Sequence, residues 1–186
     1  LGTQAGVGIA DNEAGAIYSI KSADVNASAG PGEWQAYDIW FRAPRFQNGR
    51  KVEDARVTVY WNGVLVHDDV AVARPTGSRA AGGEEAAEGM DVQLGGLRLQ
   101  DHASAAEGPV RYRNVWIAPL EETAYSGGAW ETLFDGDDDA WMVRGGEAAY
   151  RSGGGELEGT TRPNTPNTFY TSRGVYGDFE LEYEAL

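Results

Sequence analysis

The sequence predicts an all-β fold, a β-sandwich, on three observations. Short runs that alternate apolar and polar residues recur along the chain, about ten of them by the period-two criterion. Turn residues separate these runs, and 26 of the 186 residues are glycine. No stretch carries a convincing helical spacing, and Ala-, Leu- and Lys-rich tracts are few. A hydrophobic fraction of 41% is enough for a packed core and excludes wholesale disorder. The length suits one domain, or one domain plus a fragment.

In chain order, residues 1–15 are rich in Gly, Ala and Asp and read as loop. Gly15–Ile20 is expected to form a short strand, and Lys21–Gly32 a polar loop in which the glycosylation sequon Asn26-Ala-Ser28 is read as chance. Glu33–Phe41 predicts a central strand, with Trp34, Ala36, Asp38 and Trp40 on one face and Gln35, Tyr37, Ile39 and Phe41 on the other. Arg42–Asp54 reads as an exposed basic loop. Ala55–Trp61 and Val64–His67 flank Asn62-Gly63, a strong hairpin signal because a type I′ turn needs positive φ at both central residues. Ala73–Val92 is a loop whose run Glu84, Glu85 and Glu88 reads as a solvated face. Leu97–His102 and Val110–Ile117 are expected to pair as strands, with Val110, Tyr112 and Asn114 on one face of the return run and Arg111, Arg113 and Val115 on the other. Composition changes at 121–128, which reads as a linker. Asp135–Asp139 resembles the start of a calcium loop, but Ala140 and Gly146 stand at its sixth and twelfth positions, so an EF-hand is rejected. Short strands follow at Ala140–Val143, Ala148–Tyr150 and Asn167–Thr171. The end, Asp178–Leu186, alternates Phe179, Leu181, Tyr183 and Ala185 with Glu180, Glu182 and Glu184, which predicts a strand buried on one face.

Charge and composition narrow the function. A net charge of −14 argues against nucleic acid as a partner, which needs basic patches. No apolar run reaches transmembrane length, so no membrane insertion is expected. The absence of cysteine excludes disulfides, thiol catalysis and Cys-ligated zinc. The chain begins at Leu1, so the lack of a visible signal peptide carries no information. The best candidate site groups Gln100, Asp101 and His102 at a strand end, with Arg113 and Asn114 returning near them. The same residues also suit a capped turn and a surface ion pair. Trp61, at the hairpin tip, could stack on a sugar, and His67 suits either a ligand or a structural role.

Several of these stretches together resemble the bacterial 3-keto-disaccharide hydrolase family: Gly15–Tyr18, Pro31–Trp34 with Tyr37–Ile39, Thr58–His67, Leu97–His102 and Val110–Ile117. Leu133–Gly136 with Trp141, and Tyr176–Tyr183, look like the start of the same domain. In that family the order is reversed, and Gln35 stands where an Asn is usual. The resemblance therefore implies that 1–120 is the C-terminal part of such a sandwich, 121–128 a linker, and 129–186 the N-terminal part of the same or a second one. The fold is then a concanavalin-like jelly roll, either incomplete or permuted. A middle section of the family pattern is missing, so strand edges would stay open to self-association. The abrupt end at Leu186 fits a piece of a tandem protein.

The resemblance also implies a function. Such relatives act on sugars oxidised at C3, and a periplasmic or extracellular hydrolase or lyase is expected. By resemblance His102 and Asp101 take acid/base or metal-linked work, Gln100 and Arg113 bind sugar or enolate oxygens, and Trp34 is a stacking wall. A divalent cation is compatible with this chemistry. Two other classes stay open: a non-catalytic glycan-binding sandwich using Trp61, Trp34 and loop carboxylates, and an assembly module completed by strand exchange.

Overall fold

The computed structural model describes residues 10–74, 76, 94–101, 109–120, 129–133 and 138–186. The expectations for His102, for the acidic run at 84–88, for the linker at 121–128 and for 135–137 lie outside them.

Alternation of β-branched and aromatic residues builds the strands. They are β1 (Gln35–Arg42), β2 (Arg45–Gln47), β3 (Arg50–Glu53), β4 (Ala55–Trp61), β5 (Val64–Val72), β6 (Arg98–Asp101), β7 (Val110–Pro119), β8 (Glu131–Thr132), β9 (Trp141–Gly145), β10 (Ala149–Gly153), β11 (Glu156–Thr160), β12 (Thr168–Ser172) and β13 (Phe179–Ala185). One 3-10 turn, Asp138–Ala140, is the sole helical element among the described residues. The large sheet runs β10-β11-β7-β13-β1-β4-β5, with β8 added to β7. A small sheet, β6-β12-β9, packs over one half of it, and β2-β3 form a separate hairpin. All pairings among the described residues are antiparallel, and the fold is an all-β sandwich. Strands from 129–186 sit between strands from 1–120, since β13 pairs with both β1 and β7.

Two apolar clusters fill the interior. Between the sheets, Leu99, Trp141 and Tyr170 of the small sheet meet Tyr112, Val115, Ile117, Leu157 and Leu181 of the large one. The other half of the large sheet buries Val57, Val59, Trp61 and Val66 under Ala23, Ile17 and Ala27, which belong to an irregular strap over residues 10–27. The hairpin at Asn62-Gly63 forms as expected, with φ of 50° and 75°. The Asn62 side chain accepts from the Ala36 amide at 2.8 Å and donates to the Ala27 carbonyl at 2.8 Å, tying the turn to β1 and to the strap.

Four local expectations are corrected. Gly15–Ile20 is turn with one bridge, Ile17 to Lys21, because Gly15 and Ser19 take positive φ (80° and 57°). Arg42–Asp54 is not a plain loop. It holds the β2-β3 hairpin, turned by Asn48-Gly49 in the same left-handed pair and anchored by Arg45 Nη2 to Asp178 Oδ2 at 2.5 Å. Burial alone would raise the Asp178 pKa, but its hydrogen bonds from Arg45 and the Ala43 amide and the charges of Arg45 and Arg42 outweigh it, and the carboxyl is held low. The runs Leu97–Asp101 and Val110–Ile117 do not pair, since β6 joins β12 and β7 joins β13 and β11. They meet across the interior, where the Tyr112 hydroxyl donates to the Gln100 carbonyl at 2.9 Å. Finally, Val115 does not share the face of Arg113. The β7-β13 register shifts between Glu182 and Glu184, where Asn114 takes φ 51°. That extra residue returns Val115 and Ile117 to the core face of Tyr112 and puts Trp116 with Arg113.

Leu181 sits in the middle of this construction, buried and paired with Ile39 and Ile117. Leu181→Ala is expected to lower the unfolding free energy by about 2–5 kcal/mol in urea titration, with a retained β-type circular dichroism spectrum.

Candidate functional site

The face of the large sheet turned away from the core groups carboxylates with aromatic rings. Because Phe179, Leu181 and Tyr183 point inward, Glu180, Glu182 and Glu184 of β13 point outward. In β1, Ile39 and Tyr37 pack inward, which leaves Ala36, Asp38 and Trp40 outside. Asp38 stands directly opposite Glu182, and Trp40 opposite Glu180. Directly opposed side chains have their β-carbons about 5 Å apart. All three carboxyls are half-buried and their pKa values are raised. Burial is the main cause in each, the Asp38 charge adds to it for Glu182, and the charges of Glu182 and Asp38 add to it for Glu180. A hydrogen bond from Trp40 to Glu180 pulls the other way.

Aromatic rings flank this cluster. Trp116 of β7 is opposite Glu182 and is 44% exposed. Tyr60 of β4 is opposite Asp38, and its ring meets Trp40 edge-on at 5.5 Å. Trp130, 41% exposed, lies two residues before Thr132, the partner of Trp116. Beside the cluster, the Arg113 guanidinium lies 4.0 Å above the Trp34 ring and pairs through Nε with Glu184. Asn114 reaches the same Glu184 oxygen at 3.3 Å. Beneath the face, Tyr37 stacks on Tyr183 at 5.1 Å and on Trp61 at 5.7 Å. Burial pushes the Tyr37 phenol up to about 12 and that of Tyr183 well above the ordinary range, so this floor stays uncharged.

The residues singled out by sequence divide between three places. Arg113 and Trp34 are together, on the carboxylate face. Asp101 is on the other side of the sheet. It is 1% exposed, and its two oxygens accept from the Thr161 hydroxyl at 3.0 and 3.2 Å. The structure therefore does not bring Asp101 to Arg113, because β6 and β7 belong to different sheets and the two side chains leave opposite faces. Gln100 lies next to it on β6, paired with Phe169 of β12. Trp61 is 3% exposed and does not stand free at a hairpin tip. Its indole N–H donates to Gln35 at 3.2 Å, and one edge lines a cavity of about 230 Å³ with Glu13, Ala14, Asn26 and Ser28. His67 is fully buried, with Nε2 2.7 Å from the Gly15 carbonyl and Nδ1 without a partner among the described residues. Burial, above all, depresses its pKa, and a neutral imidazole latching the strap is the result. Among the described residues no three His, Asp or Glu side chains are placed to hold a metal ion.

Asp38, Glu180, Glu182, Trp40, Tyr60 and Trp116 were not expected as site residues. The signal for the carboxylates was available, since three glutamates at every second position of one strand face Asp38 and Trp40 at the same spacing on another. What could not be read was that the two strands are neighbours.

An antiparallel sandwich that sets opposed carboxylates between tryptophan and tyrosine rings has the build of a carbohydrate-active domain. The chain belongs to the family described as the 3-keto-alpha-glucoside-1,2-lyase-like domain, whose model matches residues 3–118. That family points to a hydrolase- or lyase-like activity on carbohydrate. The matched range includes β1–β6 and β7 up to Ala118, and β8–β13 lie beyond it. No curated protein matches the chain.

The raised carboxyls have a consequence for stability. A carboxyl whose folded pKa lies above its unfolded value holds its proton more tightly when folded, so its contribution is full in acid and is lost as pH rises through the folded pKa. Glu182→Gln is therefore expected to melt about 2 °C higher than the parent at pH 7–8, for a like-charge pair of roughly 0.5–1 kcal/mol. The gain should shrink to nothing as pH falls towards about 4. Paired thermal melts across this range check it.

Proposed function

We propose that the outer face of the large sheet cleaves glycosides oxidised to a ketone at C3. The ketone acidifies the C2 proton. Asp38 takes that proton as a carboxylate, the C1–oxygen bond breaks as the C1=C2 double bond forms, and Glu182, whose proton is held more tightly by burial and by the Asp38 charge, delivers a proton to the departing oxygen. Water then adds to C1 of the enone, with a proton returning to C2. Arg113, held flat on Trp34 and steadied by Glu184, faces the charge that develops on the ketone oxygen. Trp116, on the same strand as Arg113, is the wall for the oxidised ring. Asp101 and Gln100 support the sheet from within, and His102 follows Asp101 directly in the chain. A periplasmic or extracellular setting goes with this reading.

One observation carries it: two carboxyls face each other with pKa values pushed upward, in a chain of this family. Enzymes that need one ionised and one protonated carboxyl arrange their environments in this way.

The test is incubation of the protein with methyl 3-keto-α-glucoside, with and without a chelator, followed by chromatography of the products. Release of 3-ketoglucose or of the enone is expected. Glu182→Gln and Asp38→Asn should each lower kcat by roughly 10²–10⁴-fold. The pH–rate profile should be bell-shaped, with its alkaline limb, set by Glu182, lost in Glu182→Gln. No product under any condition ends this proposal, and saccharide binding without turnover would make the face a lectin site.

A further inference from the structure

Two Asn-Gly pairs occur in the chain, and both take the same left-handed turn. The φ values are 53° and 74° at Asn48-Gly49, and 50° and 75° at Asn62-Gly63. In such a pair the glycine nitrogen can attack the asparagine side-chain amide, because no Cβ on the glycine crowds the approach. The two surroundings differ. The Asn62 carboxamide accepts from the Ala36 amide at 2.8 Å and donates to the Ala27 carbonyl at 2.8 Å and to Gln35 Oε1 at 2.9 Å. Its turn joins β4 and β5, of seven and nine residues, within the large sheet. Asn48 is exposed, and its carboxamide makes no hydrogen bond among the described residues. A Cβ built on Gly49 would meet nothing within 4 Å, so the tip of this turn stands in solvent. Its strands, β2 and β3, have three and four residues and form a sheet of two. The anchors of that hairpin lie at its base, Arg45 on Asp178 and Arg42 on Glu53 at 2.9 Å.

A closed turn of this type protects its own asparagine. The first central residue has ψ of about 30°, which turns the next nitrogen away from the side-chain carbonyl carbon. Attack therefore waits for the turn to open, and the free energy of opening sets the rate. A short hairpin outside a larger sheet opens at low cost, whereas the Asn62 turn opens only with the sheet around it. We propose that Asn48 is a site of spontaneous covalent modification, converting to isoaspartate and aspartate, and that Asn62 is its protected counterpart. The deprotonated Gly49 nitrogen bonds to Asn48 Cγ, the Cγ–Nδ2 bond breaks, and Nδ2 takes up protons from solvent and leaves as ammonia. Water then opens the cyclic imide. Addition at Cγ gives aspartate; addition at the backbone carbonyl gives isoaspartate, with the chain now running through Cβ and Cγ. Either product adds a negative charge beside Arg50. The isoaspartate also adds a carbon to a two-residue turn with no slack, so β2 and β3 lose their register. A protein carboxyl methyltransferase that recognises isoaspartate is the class of enzyme that would act on the product.

The experiment ages the purified protein in mildly alkaline buffer and follows both sites by peptide mapping, with the tryptic peptide Phe46–Arg50 reporting on Asn48. Amide-to-acid conversion at Asn48 should run at least about tenfold faster than at Asn62. In concentrated urea the two rates should come within about threefold of each other, chiefly because Asn62 speeds up. Transfer of labelled methyl groups by an isoaspartyl methyltransferase should rise with age in the parent. It should fall to background in Asn48→Gly, a substitution that suits the positive φ and leaves the hairpin intact. Equal rates at the two sites in the folded protein, or conversion at Asn62 first, overturn the proposal. So does a tenfold difference that persists in urea, since local sequence and not the fold would then be its cause.

Discussion

The whole arrangement depends on β13 being hydrogen-bonded along both of its edges, to β1 on one side and β7 on the other. That double pairing joins the two ends of the sequence into one sheet, and it fixes the register of every residue on the outer face. With Leu181 locked between Ile39 and Ile117 in the core, Glu182 has no freedom to face anything but Asp38 and Trp116. A slip of one residue would send the glutamates into the apolar interior and bring Leu181 to the surface, so the hydrophobic effect enforces the geometry of the polar face.

The opposed carboxyls are a local weakness that the scaffold tolerates. Like charges set directly across a ladder repel, and partial burial makes ionisation harder still. A sheet chosen only for stability would carry a lysine or a threonine at one of these positions. Retention of strain of this kind on a rigid, two-sided strand is what a site needs if one carboxyl is to be a base while its neighbour remains an acid. The stacked tyrosines underneath, uncharged and tightly packed, hold the floor fixed without adding a further titrating group.

Much of this could be read from the sequence alone. Asn62-Gly63 specified its hairpin, and the alternation of β13 specified which residues lie inside. The all-β class followed from both. The faces of β7 were assigned wrongly beyond Arg113 because a bulge at Asn114 is a matter of two residues opposing one on a partner strand, and the partner is distant in sequence. That single displaced residue is why Trp116 was not expected on the site face. The convergence of Asp101 with Arg113 failed for a related reason. Sequence neighbours separated by a turn were assumed to be sheet neighbours, whereas the tyrosine at 112 crosses the interior to reach a strand of the opposite layer. Local pattern reports which way a side chain points, but only long-range pairing reports what it meets.

The two halves of the large sheet are covered unequally. One half is sealed by three paired strands, the other by the strap over residues 10–27, which is held by the Asp24 amide on the Val66 carbonyl, by Asn62 on Ala27 and by His67 on Gly15. A cover fastened at scattered points opens at a lower free energy than a ladder does. Gly15 presses against the Trp61 ring, so a side chain there would lift the whole segment. Amide exchange and protease nicking should therefore begin on this flank, and solvent should reach the indole of Trp61 long before the carboxylate face of the sheet loses its shape.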